Sequence, residues 1–132
     1  MACLRRRAKG MAVLELALAL PLLFLLTFGI LEYGWMFFKA QQVTEAARQG
    51  ARRAATPDAT ADEVRALCRS VLQKGGIDSA DVSFPTGMAP GTGNAVTVTV
   101  SVPYRDVHLF GLSFIPAPSS LEGSVTMLKE GT

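Results

Sequence analysis

The sequence predicts an α+β protein: a long N-terminal transmembrane helix that continues into a stem, then a short helix and a small three-stranded antiparallel sheet. Three observations predict this fold. The apolar run from Met11 to Phe38 exceeds the roughly 20 residues that a helix needs to cross a bilayer. Helix-forming residues then follow without a breaker as far as Pro57. Beyond Pro57, a capped amphipathic pattern and a run of alternating valines predict one helix and a sheet.

The net positive charge of the chain comes from its start. The first ten residues carry four basic side chains and no acidic one: Arg5, Arg6, Arg7 and Lys9. Without them the chain has more acidic than basic side chains, so the net charge of +2 indicates no nucleic-acid surface. Basic residues beside a membrane segment stay on the cytoplasmic side, which predicts a cytoplasmic N-terminus and a periplasmic C-terminal domain.

The apolar run has the features of a segment that remains in the membrane. Between Leu16 and Leu31 it holds no charged residue. Tyr33 and Trp35 suit the membrane–water interface on the outward-facing side of the same membrane. Pro21 lies inside it and predicts a local bend. Cleavage as an ordinary secretory signal is the alternative, but the bulky residues 33–38 make a poor site for it. Membrane lipid is therefore an expected partner.

A processing motif stands where the apolar run begins. The basic leader ends at Gly10, the run starts at Met11, and Glu15 is its fifth residue. This arrangement resembles the class III signal of type IV prepilins, in which a prepilin peptidase cuts after the glycine. The resemblance implies cleavage between Gly10 and Met11. Glu15 of one subunit would then pair with the Met11 ammonium of a neighbour and set the register, or else it is a solvated residue at the headgroup boundary.

The predicted stem carries small and basic residues at helical spacing. Ala46, Gly50 and Ala54 recur every four residues and allow another backbone to approach closely. The row is either a seam between subunits or the face of a helix packed on its own domain. Arg48 and Arg52 repel each other unless a carboxylate lies opposite, and a solvated basic face is the alternative.

Residues 9–55 resemble the TadE-like family. The resemblance is carried by a G-x-x-x-x-E-x-A-L…P start, a later Glu–aromatic–Gly and an Ala-Ala-Arg-x-Gly-Ala-Arg segment. These are Gly10, Glu15, Ala17, Leu18, Pro21, Glu32, Tyr33, Gly34, Ala46, Ala47, Arg48, Gly50, Ala51 and Arg52. The resemblance implies a minor pilin or pseudopilin of the tight-adherence (Flp) pilus machinery in the bacterial inner membrane. Its partners would be other pilins, Tad-type assembly proteins and a prepilin peptidase, with adhesion as a downstream outcome.

The C-terminal domain is predicted from capping and alternation. Thr60 and Glu63 form a capping box before an amphipathic helix that ends at Gly75 and Gly76. Strands are predicted over Asp81–Phe84, over the alternating valines between Val96 and Val102, and over Glu122–Leu128. The apolar residues 107–115 are a packed excursion, a membrane-touching loop or a partner surface.

No motif predicts catalysis, a metal or a cofactor. His108 is the single histidine, and the acidic residues occupy helix starts and turns. Cys3 and Cys68 lie on opposite sides of the predicted span, so we expect no disulfide between them. Cys68 is expected to be a small buried apolar residue. We therefore expect no enzyme activity, cofactor or small-molecule substrate.

The predicted organisation has four parts: a prepilin-type leader over residues 1–10, a transmembrane helix over 11–38, a helical stem over 39–56 and a small α+β periplasmic domain over 57–132. The predicted function is structural, in pilus assembly. Two alternatives stay open: a type II secretion pseudopilin, and an unprocessed single-pass anchor with a periplasmic binding module.

Overall fold

A computed structural model of the chain describes residues 2–88, 93–111 and 116–130, with side chains described from Gly10 onward. Its elements are α1 (Ala2–Ala54), α2 (Ala61–Lys74), β1 (Asp81–Ser83), β2 (Ala95–Pro103), a 3-10 turn (Tyr104–Asp106) and β3 (Ser120–Leu128). The predicted α+β fold, with one long helix, one short helix and three antiparallel strands, is confirmed. The chain divides into two compact units, one up to Gly34 and one from Trp35 onward.

The first unit is the apolar part of α1. Every residue from Gly10 to Phe28 is exposed, so the leucine and phenylalanine side chains face whatever surrounds the helix. Among the described residues, α1 is the one helix long and apolar enough to cross a membrane. Pro21 lies inside α1 without ending it. An apolar surface of this length is stable in lipid or against other apolar helices, and costly in water.

The capping box at the start of α2 forms as the sequence predicts. Thr60 Oγ1 accepts a hydrogen bond from the Glu63 N–H at 3.4 Å, and the Glu63 carboxylate accepts one from the Thr60 N–H at 3.3 Å. Helix α2 ends at Lys74, with Gly75 as its cap. The stripe that α2 buries consists of Val64, Cys68 and Leu72. This face covers the interior of the second unit.

The sheet has the order β1-β2-β3, and both pairs are antiparallel. The alternate valines of β2 are fully buried: Val96, Val98, Val100 and Val102. On the opposite face the hydroxyls of Thr97 and Thr126 lie 2.8 Å apart, and those of Thr99 and Ser124 lie 3.0 Å apart. One side of the sheet is therefore apolar core and the other a polar surface, as alternation requires.

The C-terminal part of α1 is built into this core. Five of its apolar side chains are buried: Val43, Ala46, Ala47, Ala51 and Ala54. A Cβ added at Gly123 would lie 2.9 Å from the Thr44 Cα, so β3 crosses α1 at backbone contact distance. The residues expected to form a stem, 39–56, thus lie within the second unit and supply part of its core.

Helices α1 and α2 approach each other closely at Gly50. A Cβ at this position would collide with the Cys68 Sγ and would lie 3.3 Å from Val98 Cγ1. Cys68 and Val98 are both fully buried, so moving either side chain would displace other residues of the core. Gly50 is therefore required by packing, although glycine lowers the intrinsic stability of a helix interior by about 1 kcal/mol.

We expect Gly50→Leu to lower the free energy of unfolding of the second unit by about 1–3 kcal/mol or more, because the added side chain overfills a closed core. The measurement is denaturant unfolding of the full chain in detergent, followed by circular dichroism. Gly29→Leu is the matched control, because a Cβ at Gly29 meets no atom within 4 Å. Equal unfolding midpoints for the two variants would contradict the packing described.

Candidate membrane and assembly surfaces

The predicted processing site is sterically open. Gly10 lies in α1, is exposed, and a Cβ added there would meet no atom within 4 Å. Met11 is 75% exposed. Glycine costs about 1 kcal/mol relative to alanine in a helix interior, so α1 unwinds more easily here than at its leucines. Packing among the described side chains does not demand a glycine at this position, and cleavage between Gly10 and Met11 remains a prediction.

Glu15 is exposed among apolar neighbours. It lies one helical turn beyond Met11, about 6 Å along the axis, between the exposed Leu14 and Leu16. A carboxylate at the edge of a membrane is costly unless it is solvated or paired. Since the side chain is exposed, a second helix can reach it. Its pairing with a neighbouring Met11 ammonium remains a prediction.

The small-residue row turns inward. Ala46, Gly50 and Ala54 are all buried, and the neighbours of Gly50 are Cys68 and Val64 of α2 and Val98 of β2. Of the two interpretations open from the sequence, the structure shows packing on the chain's own domain. The reason is that α2 and the sheet cover this face, so a seam with another subunit would require the domain to open.

From Gln41 onward, the face of α1 that remains exposed is polar. We call it the polar stripe; its residues are Gln41, Glu45, Arg48, Gln49 and Arg52. Arg48 Nη1 lies 3.0 Å from Glu45 Oε2, and Gln49 Nε2 donates to Glu45 Oε1 at 3.0 Å. Pairs this exposed contribute little to stability, typically below about 1 kcal/mol. Their side chains are therefore free to exchange partners if another subunit approaches.

Two of the basic side chains near the end of α1 have carboxylate partners, which are contributed by three different residues. Glu45 serves Arg48, while Arg53 Nη2 lies 3.0 Å from Glu63 Oε2 and Arg53 Nη1 lies 3.5 Å from Asp58 Oδ1. Arg53 thereby joins the end of α1 to the start of α2. Arg52 is exposed and makes no ion pair with an acidic residue in the described part of the chain. Arg52 is thus the cation of the polar stripe most available to a partner.

Lys39 makes a contact that the sequence did not indicate. It is only 5% exposed, and its Nζ donates to the Gly75 carbonyl at 2.6 Å, at the C-terminal end of α2. The same ammonium lies 4.9 Å from the centroid of the Trp35 ring. A cation is favoured at a helix C-terminus and over an indole face. A lysine after a long apolar run is ordinarily expected at lipid headgroups, so no sequence signal pointed to Gly75.

Cys68 lies in the core, as expected for a small buried residue. It is fully buried, and its thiol donates to the Ala46 carbonyl at 3.4 Å. Burial raises the pKa of the Cys68 thiol, so the reactive thiolate is disfavoured. Among the described residues there is no group of three or more His, Cys, Asp or Glu that could hold a metal ion.

We expect Lys39→Met to lower the free energy of unfolding by about 1–2 kcal/mol, because the Gly75 carbonyl loses its donor and α2 loses a cation at its C-terminus. The midpoint of denaturant unfolding measures this loss. Lys74→Met is the matched control, since Lys74 is exposed in the last turn of the same helix. A midpoint no lower than that of the control would show that the contact does not stabilise the domain.

Comparison with known proteins confirms the resemblance inferred from the motifs. The family described as TadE-like protein matches residues 10–52. The match begins at Gly10 and ends two residues before α1 does, so it covers the exposed apolar helix and its buried continuation. No curated protein and no solved structure matches the chain. The match thus lies outside α2 and the two long strands.

Proposed function

We propose that the chain is a structural subunit of tight-adherence (Flp-type) pilus assembly, a minor pilin or pseudopilin that acts by helix packing in the inner membrane or the filament. The TadE-like match indicates a Tad pilus-associated protein and a family that is structural rather than catalytic. One observation carries the finer proposal: the matched segment begins with an apolar helix that is exposed from Gly10 to Phe28. Such a surface is suited to lateral packing with other apolar helices and with lipid.

The proposed orientation places the N-terminus in the cytoplasm and the second unit in the periplasm. The basic residues of the leader, residues 1–10, favour retention on the cytoplasmic side. In this orientation a prepilin peptidase acting at the cytoplasmic face reaches the open backbone at Gly10. The chain then remains in the membrane through α1, because the cut leaves the whole apolar run intact.

The proposed mechanism uses one charge pair and two surfaces. Cleavage creates an ammonium at Met11, and Glu15 of an adjacent subunit is exposed and can pair with it. In a medium of low dielectric constant such a pair is far stronger than in water, so it favours one axial register. The apolar surface of α1 supplies lateral contact, and the polar stripe offers contacts to other pilins or Tad-type assembly proteins. No step requires a cofactor.

We expect cleavage between Gly10 and Met11 in cells that carry the prepilin peptidase. Mass spectrometry of the membrane-extracted protein should give an N-terminus at Met11. Gly10→Leu should leave an uncleaved precursor, since a bulky residue blocks approach to the backbone. Gly29→Leu, the same change at another open position of α1, should be processed normally.

A reporter fused after Thr132 provides the topology control for this experiment. It should be active only in the periplasm, for both the cleaved protein and the Gly10→Leu precursor. An intact leader on the wild-type chain would favour the unprocessed anchor. Reporter activity in the cytoplasm would refute the orientation.

We expect Glu15→Ala and Glu15→Gln to be inserted and cleaved normally but to abolish surface pili, because the Met11 ammonium loses its partner. The measurement is the amount of sheared pilin together with electron microscopy of the cells. Glu122→Ala, which removes an exposed carboxylate from β3, should leave piliation unchanged. Normal piliation in both Glu15 variants, with processing verified, would remove the register role.

A further inference from the structure

The loop over residues 107–111 carries exposed apolar side chains that pilus assembly by helix packing leaves unexplained. Leu109 and Phe110 are 42% and 47% exposed, although the domain fully buries the alternate valines of β2. We propose that this loop is a second membrane-contact element, with Leu109 and Phe110 seated in the headgroup–acyl boundary of the bilayer. The inference depends on the proposed function insofar as α1 must cross that bilayer.

The start of the loop is fixed against an interfacial tryptophan. The Trp35 indole N–H donates to the Val107 carbonyl at 2.8 Å. The N–H groups of Val107 and His108 both donate to the Tyr104 carbonyl, at 3.0 and 3.1 Å, so the preceding turn is closed. Val107 itself is buried. The backbone of the loop therefore lies beside the Trp35 ring.

Trp35 indicates the depth at which the loop lies. Residues 33–38 are uncharged, and tryptophan rings prefer the membrane–water interface. Phe37 is 64% exposed and Phe38 is also exposed. Lys39, the next charged residue, donates to the Gly75 carbonyl and so directs its ammonium into the domain. The exposed residues that follow Trp35 in α1 are thus apolar, which suits the depth where lipid headgroups give way to acyl chains.

Charged residues limit how deeply the loop can enter. Arg105 and Asp106 come just before Val107, with Arg105 Nε 3.7 Å from Asp106 Oδ1. Asp106 also accepts a hydrogen bond from the Ser79 hydroxyl at 2.6 Å, and both charged residues are exposed. They favour the aqueous side of the interface. A shallow contact leaves Arg105 and Asp106 in water while Leu109 and Phe110 enter the bilayer. Interfacial helices likewise bury their apolar face about 5–10 Å into the boundary between headgroups and acyl chains.

Site-specific fluorescence quenching tests this placement in the full chain. Cys3 and Cys68 are replaced by alanine, and Phe110→Cys carries a nitrobenzoxadiazole label. The protein is reconstituted into bilayers of phosphatidylethanolamine and phosphatidylglycerol. The quenchers are lipids with a nitroxide either near the headgroup or on the acyl chain, and aqueous iodide. Ser70→Cys, on the exposed face of α2, is the water-exposed control, and Leu22→Cys in α1 is the membrane control.

We expect the lipid nitroxide to quench the label at position 110 several-fold more than at position 70, and iodide to quench it several-fold less. Quenching by iodide equal to that at position 70 would overturn the proposal. So would protection from both quenchers, which would indicate a protein partner over the loop. If lipid also failed to quench the label at position 22, the membrane span and the loop contact would both be refuted. Failure at position 110 alone would refute only the loop contact.

Discussion

The contact between the backbone of α1 and the rest of its domain is the constraint on which the second unit depends. Gly50 lets Cys68 and Val98 close onto α1, and Gly123 lets β3 cross it at Thr44. Around these two points the buried residues of α1 are mostly alanines, so the helix lies close to both α2 and the sheet. A single helix therefore supplies both an apolar surface long enough to cross a membrane and one wall of the core of the second unit. The buried residues of α1 are mostly small because little space separates this helix from α2 and the sheet.

Local patterns in the sequence predicted most of this architecture. The capping box fixed the start of α2, and the alternating valines fixed which face of β2 is buried, because both signals act over a few residues. The strand at the C-terminal end was predicted from Glu122 and begins two residues earlier, at Ser120. The apolar segment was evident from its length and its lack of charge. These features depend on periodicity and composition, which a single chain displays directly.

The remaining features depend on contacts between distant parts of the chain. Spacing showed that Ala46, Gly50 and Ala54 share a face, but it could not show that α2 and the sheet cover that face. The bond from Lys39 to the Gly75 carbonyl joins residues 36 positions apart, and the bond from Trp35 to Val107 spans 72. A tryptophan and a lysine at the end of a long apolar run are both ordinary, so neither Trp35 nor Lys39 indicated its distant partner. The residues of the polar stripe are exposed because the neighbouring face of α1 is buried against α2 and the sheet.

The crossing of β3 over α1 has a consequence for the order in which the protein can be made. Helix α1 is synthesised first, whereas β3 and the bond from the Glu130 N–H to the Ala55 carbonyl are contributed by the last part of the described chain. Until β3 has been synthesised, Val43 and Thr44 have no strand packed against them, so the core of the second unit cannot close. A chain truncated before Ser120 would keep the apolar part of α1 yet expose the core of the second unit to proteases. The resistance of the second unit to proteolysis therefore depends on the strand that is synthesised last among the described elements.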